Sequence, residues 1–154
     1  MSSLSDDTEY RATWRANWLR SIQELADLEM QRATWLNPHS GNVHYSFVEY
    51  VESYFSDLAL AKDSGGYPAR IAENLLSEEE AAAVCRFHVL FDSYKPPTDW
   101  YDHDAILEDP KWLDVVDAAQ TAQARLATII NDLIEKQSLL QASVHAFAAA
   151  GRFD

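Results

Sequence analysis

An apolar stripe runs through residues 112–147 without a slip. Trp112, Val116, Ala119, Gln123, Leu126, Ile130, Leu133, Gln137, Leu140, Val144 and Phe147 follow one another in alternating steps of four and three. That spacing averages about 3.5 residues, the period of a helix that keeps one seam against partner helices. Asp109 before Pro110 supplies a capping carboxylate and a proline at the first helical position, and Gly151 offers a stop. A single helix over 110–150 would be about 60 Å long. A chain of 154 residues packs to a radius of gyration of about 15 Å. The stripe therefore predicts a helical bundle whose last helix either breaks near Gln137-Ser138 and folds back or is covered at its distal end by another chain.

Three further stretches read as helices. Tyr10, Trp14, Trp18, Ile22, Leu25 and Leu28 share one face of a segment from about 8 to 36, which Asn37-Pro38 ends. The turn formers Pro38, Ser40, Gly41 and Asn42 follow. Phe47, Val51, Tyr54, Phe55 and Leu58 face one way on 46–62, which Ser46 and Glu49 open with the spacing of a capping box. Ser77 and Glu80 repeat that spacing before 78–94, where Val84, His88, Phe91 and Tyr94 form the inward stripe and Pro96-Pro97 the end. Pro68 can start a short helix through Leu76 after the break Asp63-Ser64-Gly65-Gly66. Residues 95–109 read as an extended connection, and no period-two strand pattern competes. The expected fold is all-α: an antiparallel four-helix up-down-up-down bundle with one short extra helix and a long C-terminal helix. It forms a single domain over 1–154, with 1–7 a disordered lead-in and 140–154 projecting or in an oligomer contact.

The charge narrows the partners. The net charge is −13, and residues 63–109 hold eleven acids against three bases, a local net of −8. Nucleic acid and anionic membranes would be repelled, and a basic protein attracted. No stretch approaches the ~20 apolar residues of a membrane span, and the first residues lack the basic and apolar pattern of a secretory signal. Cys85 is the single cysteine, which fits a reducing compartment. The expected location is the cytoplasm.

Several chemistries are missing from the sequence. None of the eleven glutamates has a histidine three residues later, so the inward Glu-x-x-His pairs of a di-iron bundle are not there. No His-Glu-x-x-His is present, and one cysteine cannot build a thiolate zinc site. The glycines at 41, 65, 66 and 151 form neither a phosphate-binding loop nor a dinucleotide fingerprint. The expectation is no catalytic residue, no metal and no cofactor. Two weaker constellations remain. His88 and Asp92 lie one helical turn apart, as a base with its orienting carboxylate would. Asp102-His103-Asp104, joined by His39 and His44 from the earlier loop, would offer metal-binding groups. Cys85 reads as a small buried hydrophobe.

The 95–109 connection is the most conspicuous candidate surface. A Pro-Pro stiffener precedes Trp100 and Tyr101, and Asp99, Asp102 and Asp104 surround the rings. Aromatic anchors suit interface hot spots, and adjacent charge speeds encounter with a partner of opposite sign. The second candidate is the distal stripe Leu140, Val144 and Phe147, expected at a homodimer contact. The expected function is a non-enzymatic acidic interaction module that docks on a basic protein, in the manner of inhibitors, immunity proteins, antitoxins or adaptors. The alternative is a ligand-binding or enzymatic bundle with an aromatic-lined pocket around His88 and Asp92.

Overall fold

The computed structural model describes residues 4–37 and 45–151. Among the described residues every regular element is helical: α1 (Leu4–Ala26), α2 (Leu28–Trp35), α3 (Phe47–Val51), α4 (Gly66–Ala72), α5 (Glu78–Ser93), α6 (His103–Glu108), α7 (Pro110–Ile129), α8 (Leu133–Leu140) and α9 (Val144–Ala149). The central element is α7, which packs on α1 and on α5. It buries Trp112, Val115, Val116, Ala118, Ala119, Ala122 and Leu126. Its three small alanines let the neighbouring backbones approach. Trp14, Trp18, Leu19, Ile22 and Leu25 of α1 and Val84, Phe87 and Phe91 of α5 complete the core. Asp109 and Pro110 open α7 as the sequence requires, with Asp109 Oδ1 accepting from Lys111 N at 3.1 Å.

The single helix expected over 110–150 is instead three. Ile130 is extended (φ −83°, ψ 127°), and Asp132 then caps α8 by accepting from Ile134 N at 2.9 Å and Glu135 N at 3.0 Å. Gln141 is extended in turn, and Ser143 caps α9 by accepting from Ala146 N at 3.1 Å. Gln123 explains the fold-back. At a stripe position, its Nε2 donates to Leu139 O at 2.7 Å, tying the end of α8 back to α7. The register changes with the breaks. Leu139, Ala146 and Ala149 are buried, while the stripe residues Leu133, Leu140, Val144 and Phe147 are exposed.

The first expected helix is also divided. Asp27 Oδ1 accepts from Met30 N at 3.0 Å and starts α2. Gln31 is fully buried across this break. Its Nε2 donates to Glu24 O at 2.9 Å and Leu25 O at 3.1 Å, carbonyls at the end of α1, of which Glu24 O also accepts from Asp27 N at 3.3 Å. Its Oε1 accepts the Trp112 indole N–H at 3.0 Å. Of the predicted face, Trp14, Trp18, Ile22 and Leu25 are buried, and Tyr10 is exposed.

Ser46 caps α3 by accepting from Glu49 N at 3.1 Å, but the helix soon widens into a π-helical turn over Glu52–Asp57. The adjacent rings Tyr54 and Phe55 both reach Phe91 of α5, at 5.4 and 5.0 Å. Trp14 Nε1 closes the segment by donating to Leu58 O at 3.1 Å. The short extra helix is α4, which begins at Gly66 rather than Pro68. Gly65 precedes it with φ +94°, where a Cβ would lie 2.6 Å from Ala69 Cβ, so a side chain is excluded. Ser77 and Glu80 form the expected capping box, with bonds of 2.8 and 3.0 Å. The 95–109 connection is not extended throughout, because Asp102 caps a helix there, α6, by accepting from Ala105 N at 3.2 Å.

Candidate functional site

A chain of rings runs from the core to the surface at the α5–α6 connection. Trp35 packs against Trp112 (5.8 Å between centroids), Tyr50 (5.1 Å), Phe47 (6.4 Å) and His103 (5.3 Å). Phe47 continues it to Trp100 at 5.5 Å. Trp100 rests one side on Phe47 and leaves 51% of itself exposed, and the next residue, Tyr101, is 74% exposed. Local bonds hold this tip. Asp99 Oδ1 accepts from Tyr101 N at 2.7 Å, and Tyr101 O accepts from His103 N at 3.0 Å. His103 Nε2 accepts from Phe47 N at 3.4 Å.

The five residues predicted for partner binding therefore divide. Asp99 and Asp104 are exposed beside the rings, and Trp100 and Tyr101 present apolar area to solvent. Asp102 is half-buried, and its carboxylate serves the N-terminus of α6. The same facts dissolve the Asp102-His103-Asp104 constellation: a cap, a packed ring and an exposed side chain point apart. His39 and His44 lie outside the described residues. Among the described residues no three His, Cys, Asp or Glu side chains come together as metal ligands would.

His88 and Asp92 do share a site. They line a groove of about 560 Å³ between α4 and α5, with Leu60, Tyr67, Pro68 and Ile71 on its walls. Cys85 lies there too, exposed rather than buried, because the inward face of α5 is set by Val84, Phe87 and Phe91. Beneath the groove, Tyr54 Oη lies 2.9 Å from His88 Nδ1 and 2.7 Å from Tyr67 Oη, and Trp18 Nε1 donates to Tyr67 Oη at 2.9 Å. Burial pushes both phenols up, so they stay protonated, and desolvation holds the His88 imidazole below its usual value despite Asp92.

Periodicity missed two further charged groups. Arg15 is buried, and its guanidinium pairs with both Glu80 oxygens (2.6 and 3.0 Å) and both Glu135 oxygens (2.8 and 3.2 Å), while also donating to Leu75 O at 3.1 Å. Its charge and hydrogen bonds hold Glu80 below the usual carboxylate range against the opposing desolvation. Glu24 is half-buried near Tyr50 and Arg20, and desolvation pushes its carboxyl up to about 7 although Arg20 and a Tyr50 hydrogen bond resist. A charged residue on or beside an apolar stripe was the available signal for both.

No protein-family model, curated protein or solved structure matches the chain. Among the described residues no helix is long and apolar enough to cross a membrane.

Proposed function

We propose that this chain is a non-enzymatic interaction module of the inhibitor, immunity, antitoxin or adaptor type, which docks on a basic protein through the tip formed by Trp100, Tyr101, Asp99 and Asp104. The observation that carries this reading is the exposure of two adjacent rings, amid carboxylates, on a tip whose backbone is held by hydrogen bonds. Large rigid rings supply short-range energy at interfaces, and a held loop loses little entropy on binding. The carboxylates add attraction at longer range, supported by the net −8 of residues 63–109. Asp102 belongs to the frame rather than to the contact. A basic nuclease is the kind of partner that such a surface suits. Nucleic acid itself is disfavoured by the charge.

The same reading places the chain in the cytoplasm and treats α1–α2, α3, α5 and α7 with its successors as the four arms of an up-down-up-down bundle. It also assigns Leu140, Val144 and Phe147 to a homodimer contact, supported by the neighbouring exposed Leu133 and Ile134.

The test compares capture of partners by the wild-type chain and by Trp100→Ala/Tyr101→Ala, followed by binding kinetics on the purified partner. The expected partner is basic. Asp99→Asn/Asp104→Asn slows association and flattens its salt dependence, whereas Trp100→Ala chiefly speeds dissociation. Equal capture by wild type and ring variant, or an unchanged on-rate at low salt for the neutral variant, refutes the assignment.

A further inference from the structure

The hydrogen-bond chain beneath the α4–α5 groove has a fixed direction. An indole nitrogen donates and cannot accept, so Trp18 must give its proton to Tyr67 Oη. If Tyr67 then donates to Tyr54, and Tyr54 to His88 Nδ1, every group in the chain is satisfied. In the opposite direction Tyr67 accepts twice, and its own proton has no acceptor among the described residues. That leaves a buried hydroxyl proton unpaired, at its full desolvation cost. The outward direction wins, and it makes Nδ1 of His88 an acceptor. The neutral ring therefore carries its proton on Nε2, across the ring from Tyr54. A doubly protonated ring would force the reversed chain, which agrees with the lowered proton affinity of His88.

No hydrogen bond holds Nε2 among the described residues, and His88 lines the groove together with Asp92. On α5 the groove thus offers one fixed donor and one carboxylate acceptor, a helical turn apart, beside walls of Leu60, Pro68, Ile71 and Ala81, with Lys62 contributing a cation to the same lining. We propose that this groove binds a small apolar alcohol or phenol, whose hydroxyl oxygen accepts from His88 Nε2 and whose O–H donates a hydrogen bond to Asp92. A hydroxyl satisfies both groups with one atom. A ketone or ether would offer the exposed Asp92 no donor and leave it to water, and a carboxylate would place a second anion beside it, offset only in part by Lys62. The volume, about 560 Å³, falls in the range of small-molecule sites. The site is separate from the Trp100 tip and does not depend on it.

The test uses three probes of one shape: 2-naphthol, 2-methoxynaphthalene and 2-naphthoate, titrated into isotopically labelled full chain and followed by amide NMR shifts. The expected result is shifts centred on Tyr67, Ile71, Cys85 and His88, with 2-naphthol binding at least tenfold more tightly than either analogue. Asp92→Ala, at an exposed position, narrows the preference over the methyl ether to within threefold. Ala82→Trp fills the groove and abolishes the shifts. Long-range ¹⁵N–¹H correlations of His88 show the Nε2–H tautomer. Equal affinity for naphthol and its methyl ether, shifts elsewhere, or no shift at millimolar probe overturns the proposal. So does an Nδ1–H tautomer, or groove resonances that move with protein concentration alone, which would make a second copy the occupant.

Discussion

Replacing Glu24 by Gln should stabilise the protein at alkaline pH and leave it nearly unchanged in acid. Desolvation pushes the Glu24 carboxyl from the ordinary 4.5 up to about 7. The native state therefore keeps a proton that the unfolded chain releases throughout that interval. A group with raised proton affinity contributes stability that is fully present below about pH 4.5 and lost as the pH climbs through 7. At about 1.4 kcal/mol per pH unit, the loss reaches about 3 kcal/mol by pH 8. Gln keeps the shape and the hydrogen-bonding capacity toward Tyr50 but has no proton to lose. With a urea dependence of roughly 2 kcal/mol per molar, Glu24→Gln should raise the unfolding midpoint by about 1.5 M at pH 8. The gain should shrink steadily to almost nothing near pH 4.5. Paired urea titrations of wild type and variant across pH 4.5 to 8.5 measure this directly. Glu80 works in the opposite sense: its depressed affinity supplies stability above the ordinary carboxylate range that is lost on acidification. Glu80 is present in both proteins and cancels in the difference. A variant whose midpoint parallels that of the wild type over the whole range would refute the claim that burial dominates at Glu24.

Arg15→Met leaves the Glu80 and Glu135 carboxylates facing one another without their cation. It should cost about 3–5 kcal/mol in urea unfolding, most of which Arg15→Met/Glu80→Gln/Glu135→Gln restores. Gln31→Leu strands the Trp112 indole N–H and removes a donor from the carbonyls of Glu24 and Leu25, and should cost about 3 kcal/mol, read as a lower thermal midpoint. Tyr101→Ala should change stability by less than about 1 kcal/mol, because its ring is exposed; a larger loss in thermal unfolding would make it a structural plug. Sedimentation equilibrium at micromolar concentration should give twice the chain mass, and Val144→Glu should halve it; a wild-type monomer removes the dimer reading.

Periodicity located the helices where their faces are filled by apolar side chains, and it lost them where polar side chains decide. The stripe residues Trp112, Val116, Ala119 and Leu126 are buried as the spacing requires. Ile130 is buried too, but beyond it the same spacing continues to Phe147 and ceases to describe the structure. The signals for the change were Asp132 and Ser143, each a good N-cap inside what read as one helix. A cap residue within an apolar repeat is ambiguous, since an exposed aspartate on a helix looks the same in sequence. The tip at Trp100 was legible because proline, aromatic and acidic residues lie next to one another. The His88 site was half legible: the i,i+4 spacing to Asp92 pairs them on one face, whereas Tyr54, Tyr67 and Trp18 come from distant segments.

The breaks in the helices follow one physical rule. Every interrupted helix leaves carbonyl groups without partners at its C-terminal end, and in a core those groups must be met by side chains from elsewhere. Gln31 meets Glu24 and Leu25, Gln120 meets Ala26 at 3.0 Å, Gln123 meets Leu139, and the Trp14 indole meets Leu58. At the start of α2, α8 and α9, Asp27, Asp132 and Ser143 accept the free N–H groups. A long uninterrupted helix would need none of these residues. Their presence favours several short helices over one long one, because the amides would lose their acceptors if the helices fused. A chain of this size can then fold α8 back onto α1 and α7, and α9 onto α2, instead of extending them. The consequence for function is positional: short helices end at many points on the surface. One such end, between α5 and α6, holds the Trp100 tip in place, and another, before α4, builds the glycine-lined wall of the His88 groove.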